Sequence, residues 1–288
     1  MKIIDFHTHI FPPALIRKRH ELVHEESAFS LLYSSDQSKL ITADELIKSM
    51  DENEIDVSVA VGFPWKSKEI FRAHNDYLLE TRNKYPDRLK VLVCFDLSVK
   101  GVAVEFEKCV KDGTSGAGEL AFYNEAPDDL ALENLDAIMT VSARNKLPVL
   151  IHANEPVGHA YPGKNSFTPA PAYDLAKKYP ENKIVFAHWG GGLFFYNLMK
   201  REVKDVLRNV YVDTAASPFL YDPDIYRIAS EIFGSERILF GSDYPLIRPS
   251  RYFEEMKKSG ISEKDLIRIK GENASCLLGI SENQVLGL

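Results

Sequence analysis

The chain opens Met1-Lys2-Ile3-Ile4-Asp5-Phe6-His7-Thr8-His9, an apolar run of strand length that ends in two histidines. Side chains alternate along a strand, so residues two apart share a face. His7 and His9 therefore point the same way, with α-carbons roughly 6.6 Å apart. From there both imidazoles can reach one ion lying about 2.0–2.1 Å from each nitrogen. A bare H-x-H is also what an accidental pair at a strand end looks like, so the rest of the chain has to decide.

Outward from this strand the pattern is regular. Short β-branched or glycine-containing apolar runs at 57–61, 89–95, 116–122, 148–153, 183–188, 210–214 and 237–243 read as seven further strands. Between them, helical periodicity marks 42–53, 69–85, 101–111, 130–145, 170–179, 190–207 and 223–233, with closing helices at 250–258 and 263–278. Strict alternation implies parallel strands joined by right-handed crossovers, and eight such units close a (β/α)8 TIM barrel. An open doubly wound sheet is the alternative, but no G-x-G-x-x-G opens the chain. The expectation is one α/β barrel domain over residues 1–288, with a helix-loop insertion at about 12–41, helical over 14–26 and a polar loop through Lys39.

Composition bounds the function. A chain of 288 residues, 45% hydrophobic and 27% charged, is an ordinary globular one. The net charge of −7 argues against nucleic acid or an acidic membrane as a partner, and Arg17-Lys18-Arg19 is offset by Glu21, Glu25 and Glu26. Cys94, Cys109 and Cys276 are scattered without a C-x-x-C pair and read as reduced thiols. A strand starting at Lys2 leaves no room for a signal peptide, and no apolar run is long enough for a membrane span. The expected setting is cytoplasmic and the expected partner a small-molecule substrate; a homodimer is compatible with both.

The insertion carries a competing motif. His20-Glu21-Leu22-Val23-His24 spells H-E-x-x-H, the zinc-protease pattern, with Glu45 available as a third ligand. Its charged flanks and its position after a single strand favour a surface helix.

What outweighs that motif is where the other metal-capable residues fall. His7 and His9 end the first strand, Glu119 lies late in the fourth, His152 ends the fifth, His188 the sixth and Asp243 the eighth. In a barrel all those ends form one mouth. Singly, each has a bland reading as a satisfied core histidine or a salt-bridged carboxylate; together they point to a metal site.

Asp5-Phe6-His7-Thr8-His9, Leu150-Ile151-His152, Ala187-His188-Trp189-Gly190-Gly191 and Phe240-Gly241-Ser242-Asp243-Tyr244-Pro245 resemble the motifs of the amidohydrolase superfamily. The closest resemblance is to its amidohydrolase-related branch, which holds lactone and amide hydrolases together with non-oxidative decarboxylases such as aminocarboxymuconate-semialdehyde decarboxylase. The resemblance implies that His7, His9, His152 and Asp243 hold a divalent transition metal and that Asp243 handles the proton of a metal-bound water. It implies that His188 is a second-metal ligand or a catalytic histidine. Many relatives carry a bridging lysine on the fourth strand, where this chain has Glu119, so one ion or two remain open. Zinc is the expected metal for a histidine-rich site, with manganese as the alternative.

Substrate contacts are expected from loops above the mouth: Trp65, Tyr123, His159, Lys164 and Arg248, the last two as cationic anchors for a carboxylate. Three readings follow: a metal-dependent hydrolase of a small carboxylate-bearing lactone, ester or amide; a metal-dependent non-oxidative decarboxylase; and a barrel that binds without catalysis. A complete ligand set disfavours the last. Metal-activated water beside Asp243, with Glu119 able to hold a second ion, favours the hydrolase. The compact length, which leaves little room for substrate-binding insertions, points the same way.

Overall fold

The computed structural model describes residues 2–123 and 127–280. Among them, eight strands alternate with helices: β1 (Ile4–His9), β2 (Val57–Val61), β3 (Leu89–Leu92), β4 (Ala117–Leu120), β5 (Val149–Ile151), β6 (Ile184–Phe186), β7 (Val210–Asp213) and β8 (Ile238–Leu239). Neighbours in sequence pair in parallel, β1 through β3 and β4 through β8. Two seams close the ring. Val93 bridges Ala117 between β3 and β4, and the Phe6 N–H donates to Phe240 O at 2.7 Å between β1 and the end of β8. The TIM barrel expected from the alternation is the fold.

Strand residues divide by face. Phe6, Val59, Leu92, Leu150, Val185 and Leu239, from six strands, form one buried cluster that fills the barrel. The alternate residues Ala60, Val91, Val149 and Ile184 join the larger cluster beneath the helices. Both faces are buried, which is why the strands read as near-continuous apolar runs.

The insertion differs from expectation. Instead of one helix and a polar loop, the chain forms three short helices, Pro13–Arg17, Arg19–Glu25 and Ser27–Tyr33. Glu26 breaks the second from the third with an extended backbone. Its buried carboxylate accepts the N–H groups of Lys66 and Ser67, both at 2.9 Å. Ser27–Tyr33 is helical because Phe29 and Tyr33, four residues apart, share a face and stack at 4.9 Å, with Phe29 also stacked on Trp65 at 5.0 Å. The H-E-x-x-H histidines, His20 and His24, are exposed. Glu45 caps a helix: its carboxylate accepts the Thr42 N–H at 2.7 Å, completing a capping box for Ala43–Glu52. No helix among the described residues is long and apolar enough to cross a membrane.

Candidate metal centre at the barrel mouth

The strand ends bring His7, His9, Glu119, His152, His188 and Asp243 together. A bulge shifts the β1–β2 register between Asp5 and Thr8, yet His7 and His9 still converge, their Nε2 atoms 3.2 Å apart. His9 Nε2 lies 3.1 Å from Asp243 Oδ1, and His7 Nε2 lies 3.5 Å from Glu119 Oε2. On the other side, His152 Nδ1 lies 2.8 Å from Glu119 Oε1 and 3.2 Å from His188 Nε2. Glu119 thus serves both halves, one oxygen to each. His7, His9 and Glu119 form one group able to hold a metal ion, and Glu119, His152 and His188 form another.

Asp243 and His188 both sit in left-handed backbone, at φ 57° and 56°, a conformation costly for non-glycine residues and concentrated at functional sites. Gly241 is required beside them, since a Cβ there would lie 2.8 Å from the Cβ of His7. Gly191, in the turn after His188, lets that turn pass against the carbonyl of Asn154, 2.1 Å from where a Cβ would stand.

Hydrogen-bond partners orient the rings. His7 Nδ1 donates to Asp213 Oδ2 at 2.8 Å, leaving a lone pair on Nε2. Carbonyls can only accept, so His188 donates from Nδ1 to Ala215 O at 3.1 Å. His152 lies between two acceptors, with Nδ1 2.8 Å from Glu119 Oε1 and Nε2 3.2 Å from Gly163 O. In their neutral forms these rings turn lone pairs toward two carboxylates, so the set is held together only by added positive charge, as protons on the imidazoles or as a cation. Acceptors at such distances repel unless positive charge lies between them.

The electrostatics state the same demand. Burial pushes the pKa of His188 down, but its hydrogen bond to Glu119 and the nearby Asp243 outweigh it and raise it to about 9. His7, also opposed by burial, is driven up by Glu119 and Asp213. Glu119 and Asp243 stay ionised: burial favours their neutral forms, but His7 and His152 hold Glu119 low, and His9 and His7 hold Asp243 low. His9 Nδ1 is a buried atom without a hydrogen-bond partner among the described residues.

Asp213 was not singled out from the sequence. One oxygen orients His7, and the other accepts the N–H groups of His188 and Ala215 at 2.9 and 3.0 Å. Its signal was the one that marked the others, a carboxylate at a strand's C-terminal end. Asp5 is a second omission. Burial raises its pKa to about 7 against its bonds to Ser242, whose N–H it accepts at 2.9 Å, and it thereby ties β1 to the Asp243 turn.

Above the cluster opens a cavity of about 920 Å³, lined among others by Tyr33, Lys39, Phe63, Tyr123, His159, Phe219, Tyr221 and Leu246. Tyr123 packs on His152 at 5.1 Å between ring centroids. Three expected contacts lie elsewhere. Trp65 is fully buried and donates from Nε1 to His74 Nδ1 at 2.8 Å. Lys164 lies within the 154–164 loop, paired with Glu155 at 2.8 Å. Arg248 is exposed at the start of the helix Pro249–Lys258, outside the cavity lining. Among the described lining residues, the lysine or arginine present is Lys39.

The family model described as Amidohydrolase matches residues 4–280, and the chain belongs to that family. A gamma-resorcylate decarboxylase from Polaromonas sp. (strain JS666 / ATCC BAA-500) is 23% identical, the match covering 83% of this chain and 87% of that protein. The crystal structure of 5-carboxyvanillate decarboxylase from Sphingomonas paucimobilis superposes with a TM-score of 0.77 at 17% identity, over 97% of this chain and 99% of that one. A dihydroxybenzoic acid decarboxylase from Polaromonas sp. JS666, solved with bound manganese and the inhibitor 2-nitroresorcinol, gives 0.70 at 20% identity over 99% of each chain.

These relatives overturn the expectation of a lactone, ester or amide hydrolase. The argument from compact length fails physically as well. The insertion, though short, folds over the mouth and supplies residues 31–35 and 37–39 to the cavity wall.

Proposed function

We propose that this protein is a metal-dependent, non-oxidative decarboxylase of a hydroxylated aromatic acid. The observation that carries the reading is the convergence of four histidines and Glu119, in groups able to hold a metal ion, with Asp243 beside them on the floor of a cavity walled by Tyr33, Phe63, Tyr123, Phe219 and Tyr221. The decarboxylases to which the chain is similar support the choice of reaction.

His7, His9, Glu119 and Asp243 would hold a divalent cation, with His152 and His188 completing the donor set through Glu119. The two carboxylates among the imidazoles suit manganese as well as zinc. When bound, the ion supplies positive charge to the oxygens of an acidic substrate. Without it, Glu119 and Asp243 repel such a substrate.

The protein's own residues do the rest. The aromatic walls accept a flat ring, and Lys39 at the rim favours an approaching anion. Asp243 commits Oδ1 to His9 and His7, while its other oxygen makes no hydrogen bond to the described residues. That oxygen, ionised at rest, would take the proton of a substrate hydroxyl and pass it to the ring carbon bearing the carboxylate. The carbon–carboxylate bond then breaks, its electron pair returns to the ring, carbon dioxide leaves, Asp243 is again a carboxylate, and the product's phenolate oxygen recovers a proton from solvent.

Manganese- or zinc-loaded protein is expected to release carbon dioxide from 2,6-dihydroxybenzoate or a related hydroxylated benzoate. Asp243→Asn should slow that release by about 10²–10⁴-fold. Metal-loaded protein that releases carbon dioxide from none of these acids would sink the proposal.

A further inference from the structure

Tyr33 is the cavity residue held with the most machinery of its own. Its ring stacks on Phe29 at 4.9 Å and meets Phe11 and Phe63 edge-on at 5.3 and 5.8 Å. Its backbone carbonyl accepts two hydrogen bonds from Arg19, from Nε at 3.1 Å and from Nη2 at 2.8 Å. The same Nη2 also donates to Ser35 O. Arg19 has no carboxylate partner among the described residues. An arginine fork usually meets a carboxylate or phosphate; this one closes on the main chain on both sides of one aromatic residue.

The phenol so fixed is a free donor. Its hydroxyl makes no hydrogen bond to the described residues, and Tyr33 lines the cavity with Glu119 and Asp243. Burial, followed by those two carboxylates, disfavours its ionisation, so the hydroxyl keeps its hydrogen. Rigid aromatic packing and a bound backbone leave it little freedom to turn away. A donor pre-oriented in this way discriminates between ligands that can and cannot accept its hydrogen bond.

We propose that Tyr33 is a specificity-determining residue whose hydroxyl donates a hydrogen bond to an oxygen substituent on the substrate ring, and that Arg19 is the positioning residue that holds it there. The assignment rests on the decarboxylase reading above and names the group that selects hydroxylated rings within it.

Calorimetric binding to manganese-loaded protein tests it with two ligands that differ by one hydroxyl, 2-nitroresorcinol and 2-nitrophenol. Wild-type protein is expected to prefer 2-nitroresorcinol by about tenfold, the worth of one good hydrogen bond. In Tyr33→Phe the preference should collapse toward unity, with 2-nitrophenol affinity and manganese content unchanged. Arg19→Met should move in the same direction. Arg19→Lys should restore only part, because one ammonium does not reproduce a planar fork. A Tyr33→Phe protein that keeps the wild-type preference overturns this assignment alone. Wild-type protein that binds neither ligand and decarboxylates no hydroxylated benzoate overturns the parent reading, and the assignment with it.

Discussion

His74 and three of the four histidines of the mouth are buried, with His9 nearly so, and His74 bonds to the residue that follows His9, yet the two environments are opposites. His74 accepts from Trp65 Nε1 at 2.8 Å and lies 2.7 Å from Ile10 O. Indole can only donate and a carbonyl can only accept, so one neutral tautomer satisfies both bonds. Burial then lowers the His74 pKa to about 4. At the mouth the partners are carboxylates and other imidazoles, and the same burial is outweighed, with His188 raised to about 9. Burial alone therefore does not separate a core histidine from a ligand. The sign of what surrounds it does.

The contrast breaks most visibly by deletion. His7→Ala with His9→Ala should abolish metal content and turnover, and should also lower the melting temperature, since it strips fully buried Asp213 of its imidazole partner. Elemental analysis and thermal unfolding check this, and unchanged metal content would defeat the assignment.

The next effect belongs to His74. Its folded pKa of about 4 lies below the unfolded value near 6.5. Between those limits the unfolded chain binds the extra proton, so this contribution is present above about pH 6.5 and is lost as pH falls through about 4. The loss is on the order of 3 kcal/mol. Asp5, raised to about 7, acts in the opposite sense over an overlapping range, so the comparison has to be differential. In His74→Gln, whose amide can replace both bonds without titrating, the acid-side decline in melting temperature should be shallower than in wild type, and metal content should not change. Parallel pH profiles would remove the contrast.

Asp213→Asn sharpens the same point one bond further out. It leaves His7 in place but weakens the partner that fixes its tautomer, and metal affinity measured by competition with a chelator should fall about 10–100-fold. Lys39→Ala carries the smallest effect. KM for an acidic substrate should rise a few-fold at low salt, and the difference should shrink as ionic strength screens an exposed charge.

The sequence made the barrel and the mouth legible because both depend on period and position. Strand-helix alternation, and metal-capable residues at successive strand ends, survive without coordinates. The aromatic walls were harder. Trp65 follows a strand as a lid residue does, but its indole turned into the core because His74, nine residues on, offered the acceptor it needed. Tyr33 went unnoticed in a stretch rich in serine, where the Phe29–Tyr33 spacing was the clue. Lys164 and Arg248 carried the right charge, but side-chain direction decides a contact, and Glu155 had claimed the first. Asp213 obeys the same rule as its neighbours, a carboxylate at the end of the seventh strand, so its signal too is present in the sequence.

The carbonyl of Gly163, 3.2 Å from His152 Nε2, belongs to the loop that borders the cavity. That loop is tied together by the Lys164–Glu155 pair and by the Tyr161 hydroxyl, which donates to Glu155 at 2.9 Å. The wall of the entrance is thus hydrogen-bonded directly to a histidine of the metal-capable cluster, so the position of the loop and the setting of the His152 ring are joined by one contact.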